Sequence, residues 1–388
     1  MKIPALPAVE CAILHEAFKP MNGGALFSAI EALAAKYGFS QSCQLMVTST
    51  EKDVHVLAGN YRILVSQNSE PLGPEGFRTA LTTPFTGMIF PDAREAVERH
   101  RANSFITVGK GPVSLPEEMF RSDLGSALAD LSAFTTSEDA ARAMKLCQEL
   151  AQMLIGGNPA SAIHWCVSDN LVPQAFFDRA IAANDPTLLN IRPFLTSSAG
   201  RMGEGLPIGI TANGSQWLLG KMVAFDEAKV PLPWMLETLY GFVNLCLVRG
   251  SLIPHMDTFS VEGEDWQVGV FHEKIDGFDG WELVRLKLLH HPKFGIHGQA
   301  KTKRQFEYKS VEDVRRRAEE EKREVKAAND LPEGRAGFAD AGGVNRAGEM
   351  ARLRNLAISS AANQQKTVTR AEGGLLNKFR SLLPGKAN

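Results

Sequence analysis

The sequence predicts an α+β protein with two similar halves of mainly antiparallel sheet, packed helices and a largely disordered C-terminal tail. Strand-like runs occur in adjacent groups between helical segments, unlike the strict alternation of a parallel α/β sheet. The helical segments have clear start and stop signals. Near Gly298 the apolar body gives way to a basic, Gly- and Ala-rich tail over residues 301–388.

Residues 1–135 form the first predicted half, and its signals are local. Asn22 is the expected N-cap of a helix whose apolar residues recur at helical spacing. Gly59-Asn60 joins two alternating apolar runs and predicts a tight hairpin. Pro91-Asp92 opens a second helix, and His100 near its end is interpreted as a cap. The predicted strands cover residues 9–14, 43–48, 54–58, 61–66 and 104–108.

Residues 136–300 form the second predicted half, which opens with a long helix over 137–155. Gly156-Gly157-Asn158-Pro159 ends that helix. The apolar segment 231–248 is shorter than the roughly 20 residues of a membrane-spanning helix, so a buried helix is expected. Both halves fit a common β-α-β-β-α-β plan, although no repeated sequence links them. The other predicted elements are a helix over 173–183 and strands over 162–167, 188–195, 206–212, 218–225, 266–272 and 281–289.

The charge of the chain is divided between body and tail. The whole chain has 42 Lys and Arg and 44 Asp and Glu, a net charge of −2. Residues 301–388 contain 19 Lys and Arg against 12 Asp and Glu, so the tail carries +7 and the preceding residues carry −9. This division favours a folded body with a flexible arm.

The tail contains two helical patterns separated by a Gly-rich stretch. Arg315 to Arg317 face Glu319 to Glu321 at four-residue spacing, which predicts a solvated helix over 311–328. The stretch after it predicts a flexible linker. Residues 373–386 predict a short amphipathic helix, and we expect it to dock a protein partner through its apolar face. That face consists of Leu375, Leu376, Phe379, Leu382 and Leu383.

Standard catalytic motifs are absent from the sequence. His15-Glu16 is followed by Lys19 where a zinc-protease motif needs a second histidine. The stretch from Gly214 to Met222 imitates a phosphate loop. Its glycines are one residue too far apart, and Met222 replaces the hydroxyl residue that binds magnesium. A turn leading into a strand is the better interpretation. The sequence therefore predicts no catalytic residue, no metal ligand and no cofactor.

The late part of the body contains a candidate polar site. Five of the nine histidines lie between residues 244 and 298. A histidine beside a carboxylate is the pattern of zinc sites and general bases, but the spacings match no ligand pattern. An arginine in a glycine-rich loop is added as a candidate anion ligand. The candidate residues are Arg201, His255, Asp257, His272 and His291.

The cysteines and the N-terminus bear on location. Cys11, Cys43, Cys147, Cys166 and Cys246 are widely spaced in apolar runs, without a C-x-x-C pair. This pattern predicts reduced, buried thiols and a cytoplasmic protein. The first ten residues include two prolines and Glu10, which argues against a signal peptide.

Two stretches resemble a bacterial domain-of-unknown-function family, number 4261. One is the helix pattern over 91–102 with the following strand Phe105-Ile106-Thr107-Val108. The other covers 225–259, with its apolar helix and the pair Asp257-Thr258. The resemblance covers most of the body and none of the tail. It implies a bacterial intracellular α+β protein and supplies no activity or catalytic residue.

These observations favour a non-enzymatic bacterial interaction or adaptor protein whose tail docks a partner. One alternative is a metal-dependent hydrolase that uses the late His/Asp cluster. Another is nucleic-acid binding through the basic tail, but the glutamates over 319–324 cancel much of its field and no aromatic stacking platform accompanies it. Membrane binding by the short C-terminal helix would be weak without a second anchor.

Overall fold

Two large β-sheets, a small two-stranded sheet and packed helices organise the described part of the chain, which confirms the predicted α+β class with mainly antiparallel pairing. The computed structural model describes residues 1–111, 131–198, 206–261, 264–274, 282–296 and 304–308. A single hydrophobic core cluster runs through both sheets within this part of the chain.

The first sheet is antiparallel throughout. The strands up to residue 172 are β1 (Lys2–Leu6), β2 (Ala8–His15), β3 (Cys43–Leu45), β4 (Asp53–Ala58), β5 (Tyr61–Asn68), β6 (Ala102–Lys110), β7 (Phe134–Thr136), β8 (Ala162–Trp165) and β9 (Asn170–Val172). Seven of them form the sheet in the order β3-β4-β5-β6-β2-β8-β9, and β1 pairs with β7. The predicted hairpin is confirmed, because Ala58 pairs with Tyr61 across Gly59-Asn60. Strands β8 and β9 belong to this first sheet, although they follow the predicted boundary between the two halves, which lies between residues 135 and 136.

The second sheet contains two parallel pairs. Its strands are β10 (Arg192–Thr196), β11 (Ile208–Asn213), β12 (Met222–Ala228), β13 (Asp257–Val261), β14 (Gln267–Lys274), β15 (Glu282–His291), β16 (Gly295–Ile296) and β17 (Arg304–Tyr308). The order is β10-β11-β12-β15-β14-β13-β17, with β16 beside β15. Strand β12 runs parallel to β15, and β17 runs parallel to β13. The second sheet therefore differs in strand direction from the first.

The helices pack on these sheets and end where local signals place them. They are α1 (Gly23–Lys36), a 3₁₀ turn (Pro74–Phe77), α2 (Arg78–Thr82), α3 (Pro84–Ile89), α4 (Ala93–Arg99), α5 (Ser137–Gly157), α6 (Gln174–Ala182), α7 (Pro186–Asn190), α8 (Ser215–Leu219) and α9 (Leu232–Arg249). The Asn22 side chain caps α1 by accepting from the main-chain N–H of Gly24 and Ala25. His100 caps α4: its Nδ1 bonds the Val97 carbonyl and its Nε2 accepts from the N–H of Leu72 at 2.8 Å.

Helix α9 corresponds to the predicted buried helix, and most of its residues are buried in the hydrophobic core. Its Trp234 ring meets Phe225 and Trp266 edge-to-face at 6.1 and 5.6 Å. Aromatic rings in this geometry add to the stability that burial alone provides. Among the described residues, no helix has both the length and the apolar character to cross a bilayer.

Three sequence-based boundaries are wrong. The predicted strand 188–195 begins as helix α7, which Asp185 caps by accepting from the N–H of Thr187, and only its second part is strand β10. The predicted strand 218–225 begins as α8, and β12 starts at Met222. Strand β17 lies within the predicted tail, so the second sheet continues past residue 300.

Gly214 and Gly220, in the stretch that imitates a phosphate loop, are required by close backbone contacts. Gly214 has φ 101° and Gly220 has φ 78°. A Cβ at Gly214 would lie 1.9 Å from the Asn190 carbonyl oxygen, and one at Gly220 would lie 2.1 Å from the Lys2 carbonyl oxygen. The short helix α8 between them leads into β12. These glycines therefore serve packing and not phosphate binding.

We predict that Gly214→Ala lowers the free energy of unfolding by at least about 2 kcal/mol, because the residue has a positive φ and its new methyl group would overlap a carbonyl oxygen. The matched control is Gly241→Ala within α9, where a Cβ would have no neighbour within 4 Å. That control should be neutral or slightly stabilising, since alanine favours a helix more than glycine does. Urea unfolding measures both, and equal effects would contradict the assignment.

We also predict that a chain ending at Ala300 melts several degrees below a chain ending at Ser310. The shorter chain lacks β17, and each lost main-chain hydrogen bond contributes about 1 kcal/mol. Thermal unfolding followed by circular dichroism compares the two. If both chains melt at the same temperature, β17 does not stabilise the sheet.

Candidate functional site

The predicted polar site is only partly assembled in the structure. His255 and His272 lie together, because His255 Nδ1 accepts the main-chain N–H of His272 at 2.9 Å. Asp257 is buried on β13, in register with Val270. Arg201 lies outside the described residues, as do the predicted docking residues Leu375, Leu376, Phe379, Leu382 and Leu383.

His291 lies in a different environment. It follows Val284, the register partner of His272, by seven positions along β15, a distance of about 23 Å at roughly 3.3 Å per residue. The His291 ring packs edge-to-face on Trp234 with 5.0 Å between centroids, and Nδ1 accepts from the Lys293 N–H at 3.0 Å. The structure therefore places His291 in an aromatic cluster and does not bring it to His255 and His272.

The His272 imidazole is held on both sides. Its Nε2 lies 2.7 Å from the Ile253 carbonyl oxygen, which can only accept, so Nε2 carries the proton. Nδ1 lies 3.3 Å from the Lys221 ammonium, which donates to it and also pairs with Glu282. Burial lowers the pKa of His272, and the charge of Lys221 lowers it further. This neutral ring ties β14 to the loop before β13.

The described residues give the metal-dependent hydrolase no ligand set. Within them, no group of three or more His, Cys, Asp or Glu side chains is arranged to hold a metal ion. Both nitrogens of His272 are engaged as described above. His255 uses its Nδ1 for a main-chain contact. The arrangement at the late histidines is that of a structural hydrogen-bond network.

A second cluster, which the sequence analysis did not recognise, surrounds Cys166. His164 Nδ1 lies 3.8 Å from Cys166 Sγ, and His164 Nε2 lies 2.8 Å from Asp169 Oδ1. A cysteine beside a histidine that a third polar side chain orients is the arrangement found in cysteine proteases. Burial, however, raises the pKa of the Cys166 thiol far above its ordinary value, and nearby Cys11, Glu10 and Asp169 raise it further. A thiol that stays protonated is a poor nucleophile.

Asp169 instead joins the two sheets. It occupies the turn between β8 and β9 with φ 54°, and its Oδ2 lies 3.0 Å from Nη2 of Arg192 at the start of β10. Arg192 is only 5 % exposed, and its Nε donates to the Ser168 carbonyl at 3.1 Å. Its Nη1 is buried without a hydrogen-bond partner. Asp169 is therefore the main compensation for a buried positive charge.

A third cluster lies on the first sheet, where β2, β5 and β6 meet the C-terminal end of α5. His15 at the end of β2 is 2 % exposed, and Ser104 on β6 is 5 % exposed. His15 Nε2 lies 3.1 Å from Ser104 Oγ, and His15 Nδ1 lies 3.2 Å from the Pro159 carbonyl oxygen. The sequence offered no local signal for this pair, because 89 positions separate the two residues.

Ser104 opens into a pocket of about 220 Å³. Two amide side chains hold the loop over residues 16–22 beside it. Gln67 accepts from the Met21 N–H at 2.7 Å and donates to the Met21 carbonyl at 3.0 Å, and Asn158 donates to the Ala17 carbonyl at 2.9 Å. The pocket is lined by Lys19, Pro20, Met21, Gln67, Ser104, Leu154, Gly157 and Asn158.

Comparison of the chain with protein-family models, with curated proteins and with solved structures finds no match. The resemblance to family 4261 therefore stays an expectation.

We predict that Asp169→Asn lowers the free energy of unfolding by about 3 kcal/mol, because it leaves the buried Arg192 charge uncompensated. Asparagine keeps the size of the side chain and tolerates a positive φ. Adding Arg192→Met should recover part of this loss in a double-mutant cycle measured by urea unfolding.

The control for this cycle is Glu75→Gln. It makes the same carboxylate-to-amide change in the exposed pair of Glu75 with Arg78. An exposed ion pair contributes little, so no measurable change is expected there. A simple sum of the two single effects in the cycle would show that Asp169 and Arg192 do not stabilise each other.

Proposed function

We propose that this protein is a bacterial intracellular interaction protein whose C-terminal segment, residues 373–386, docks a protein partner. The observation that carries the proposal is the apolar pattern of that segment. Leu375, Leu376, Phe379, Leu382 and Leu383 fall on one side of a helical projection, whereas Asn377 and Ser381 fall on the other. A helix this short is marginal in water and gains order by laying its apolar face in a groove.

The charge division supports a docking role for the tail. Residues 301–388 carry a net +7 and the preceding residues a net −9. A basic segment is steered toward an acidic surface, which increases the association rate at low salt. Lys378 and Arg380 flank the apolar positions of the segment. An acidic groove with an apolar floor is therefore the surface that such a partner would present.

The position of the segment also favours docking. The last described strand, β17, ends at Tyr308, and 64 residues separate it from residue 373. The predicted helix over 311–328, with flexible chain on either side of it, would span on the order of 40–50 Å. The docking segment can therefore engage a partner without requiring any change in the two sheets.

We predict that Leu376→Asp with Phe379→Asp abolishes partner binding, because the pair places two charges in the apolar face. The matched control, Asn377→Asp with Ser381→Asp, adds the same charge on the opposite side. Full-length protein and both double variants are compared by affinity capture with quantitative mass spectrometry. A specific partner should be kept by the control and lost by the apolar-face variant.

Two results would overturn the proposal. In one, the apolar-face variant retains every specific partner. In the other, both double variants lose the partner equally, which would assign binding to charge alone. A labelled peptide of residues 373–386, titrated into the full-length Leu376→Asp/Phe379→Asp variant, whose own segment no longer competes, tests whether the segment binds its own body. Saturable binding there, with capture unchanged, would make the segment an internal contact.

A further inference from the structure

The dyad of Ser104 and His15 has the geometry of a nucleophile with its general base. We propose that Ser104 attacks small carboxylic esters that bind in the adjacent pocket, with His15 as the base, so that the body has an acyl-transfer activity of its own. This activity is separate from partner docking. It depends on four features: the direction of the hydrogen bonds, the state of the imidazole, the rigidity of the strands and the lining of the pocket.

The direction of the hydrogen bonds follows from the Pro159 carbonyl. A carbonyl oxygen can only accept, so His15 Nδ1, at 3.2 Å from it, carries the ring proton. His15 Nε2 therefore has a free lone pair in the neutral ring. It faces Ser104 Oγ at 3.1 Å, and the hydroxyl donates to it. This is the hydrogen bond through which a base removes the proton of a serine nucleophile.

The His15 imidazole is neutral in the resting protein. Burial lowers its pKa from the ordinary value of 6.5, while the carbonyl contacts act in the opposite direction. A neutral ring at physiological pH is ready to accept the serine proton. The Pro159 carbonyl fixes the tautomer and the orientation of the ring, which is the role that a carboxylate has in many serine hydrolases. A carbonyl stabilises the imidazolium less than a carboxylate does, so slow turnover is expected.

Ser104 and His15 lie on strands that are paired on both sides, so their relative position is fixed. Ser104 pairs in register with Ile13 on β2 and with Gln67 on β5, so its strand has neighbours on both sides. Strand β2 likewise lies between β6 and β8. Pro159 follows the end of α5, where the Asn158 N–H bonds the Leu154 carbonyl. Groups held in this way keep the reactive geometry without an entropic cost at each turnover.

The pocket selects a small acyl group with a polar end. Its volume of about 220 Å³ is below the 300–1,000 Å³ that is usual for sites of drug-sized ligands. Pro20, Met21 and Leu154 supply apolar wall. Lys19 is exposed at the same pocket and complements a negative charge on the substrate. The amide NH₂ groups of Gln67 and Asn158 each have a second N–H that can donate to a developing oxyanion.

The reaction conserves atoms and charge. Ser104 Oγ forms a bond to the acyl carbon while its proton moves to His15 Nε2. The bond from the acyl carbon to the alcohol oxygen then breaks, and the departing alcohol takes the proton from Nε2. Water adds to the acyl carbon of the serine ester, with His15 again taking and returning a proton. The products are one alcohol and one carboxylic acid, and Ser104 is restored.

The test uses full-length protein and a fluorophosphonate probe, which modifies nucleophilic serines. Intact-mass measurement and peptide mapping should find one equivalent of probe on Ser104. Ser104→Ala should not be labelled. His15→Gln, which keeps hydrogen-bonding groups but is not a base, should slow labelling by about 100-fold or more. The matched control is Ser66→Ala on the neighbouring strand β5, whose hydroxyl donates to the Asp53 carboxylate outside the pocket, and it should be labelled at the rate of the unmodified protein.

A second measurement tests the size of the pocket. Full-length protein should hydrolyse p-nitrophenyl acetate at least about tenfold faster, as kcat/KM, than the octanoate ester, and Ser104→Ala should lose this difference. The proposal is overturned if the unmodified protein takes up no probe, if the probe maps to another residue, or if His15→Gln is labelled at the original rate. Mapping of the unmodified protein decides the matter even if the variants fail to fold.

Discussion

The turn at Ser168 and Asp169 is the connection on which the arrangement of the two sheets depends. Arg192, the first residue of β10, pairs with the Asp169 carboxylate and donates to the Ser168 carbonyl. The Asn213 amide, at the end of β11, donates to the same carbonyl at 2.9 Å. A buried charge of this kind is tolerated only while its partner is in place. The two strands at this edge of the second sheet are therefore fixed against the last hairpin of the first sheet.

The same connection extends to the pocket through β8. The Trp165 indole N–H donates to the Asn190 side chain at 2.8 Å, which fixes β8 against α7. Strand β8 follows Pro159 by only a few residues, and Ser161 bonds the Leu14 carbonyl from both its N–H and its hydroxyl. The position of the Pro159 carbonyl relative to His15 thus depends on β8. A distortion of the turn at Asp169 would therefore shift β8 and, with it, the Pro159 carbonyl that orients the His15 imidazole.

Local sequence signals correctly predict the elements whose position is fixed by residues that are close in sequence. The Asn22 cap and the Gly59-Asn60 hairpin are of this kind, and both are confirmed. The run over 188–195 is predicted as a strand, although Asp185 and Pro186 before it provide a helix start. Strand β17 was missed because it lies in a charged stretch and gains its order from pairing with β13.

The pair of His15 and Ser104 could not be predicted from local sequence signals, because it too depends on the pairing of distant strands. His15 and Ser104 meet only because β2 and β6 pair with Ile13 opposite Ser104, and register between distant strands is set by the whole sheet. The histidines that did attract attention were close in sequence. Closeness in sequence does not bring side chains together: His272 lies on β14, and His291 lies seven positions past its register partner on β15.

The two proposed functions occupy different parts of the molecule and depend on different forces. The dyad lies within the first sheet, where burial keeps His15 neutral and the pairing of β2 with β6 holds Ser104 against it. The proposed docking segment follows β17, the edge strand of the second sheet, and its proposed protein partner would supply an apolar groove. At physiological ionic strength exposed charges are screened beyond a Debye length of about 8 Å, so added salt weakens the attraction between the basic tail and an acidic partner. Salt has little effect on a buried hydrogen bond between neutral groups. The salt dependence of partner capture and of serine labelling should therefore differ, and this difference separates the two activities within one chain.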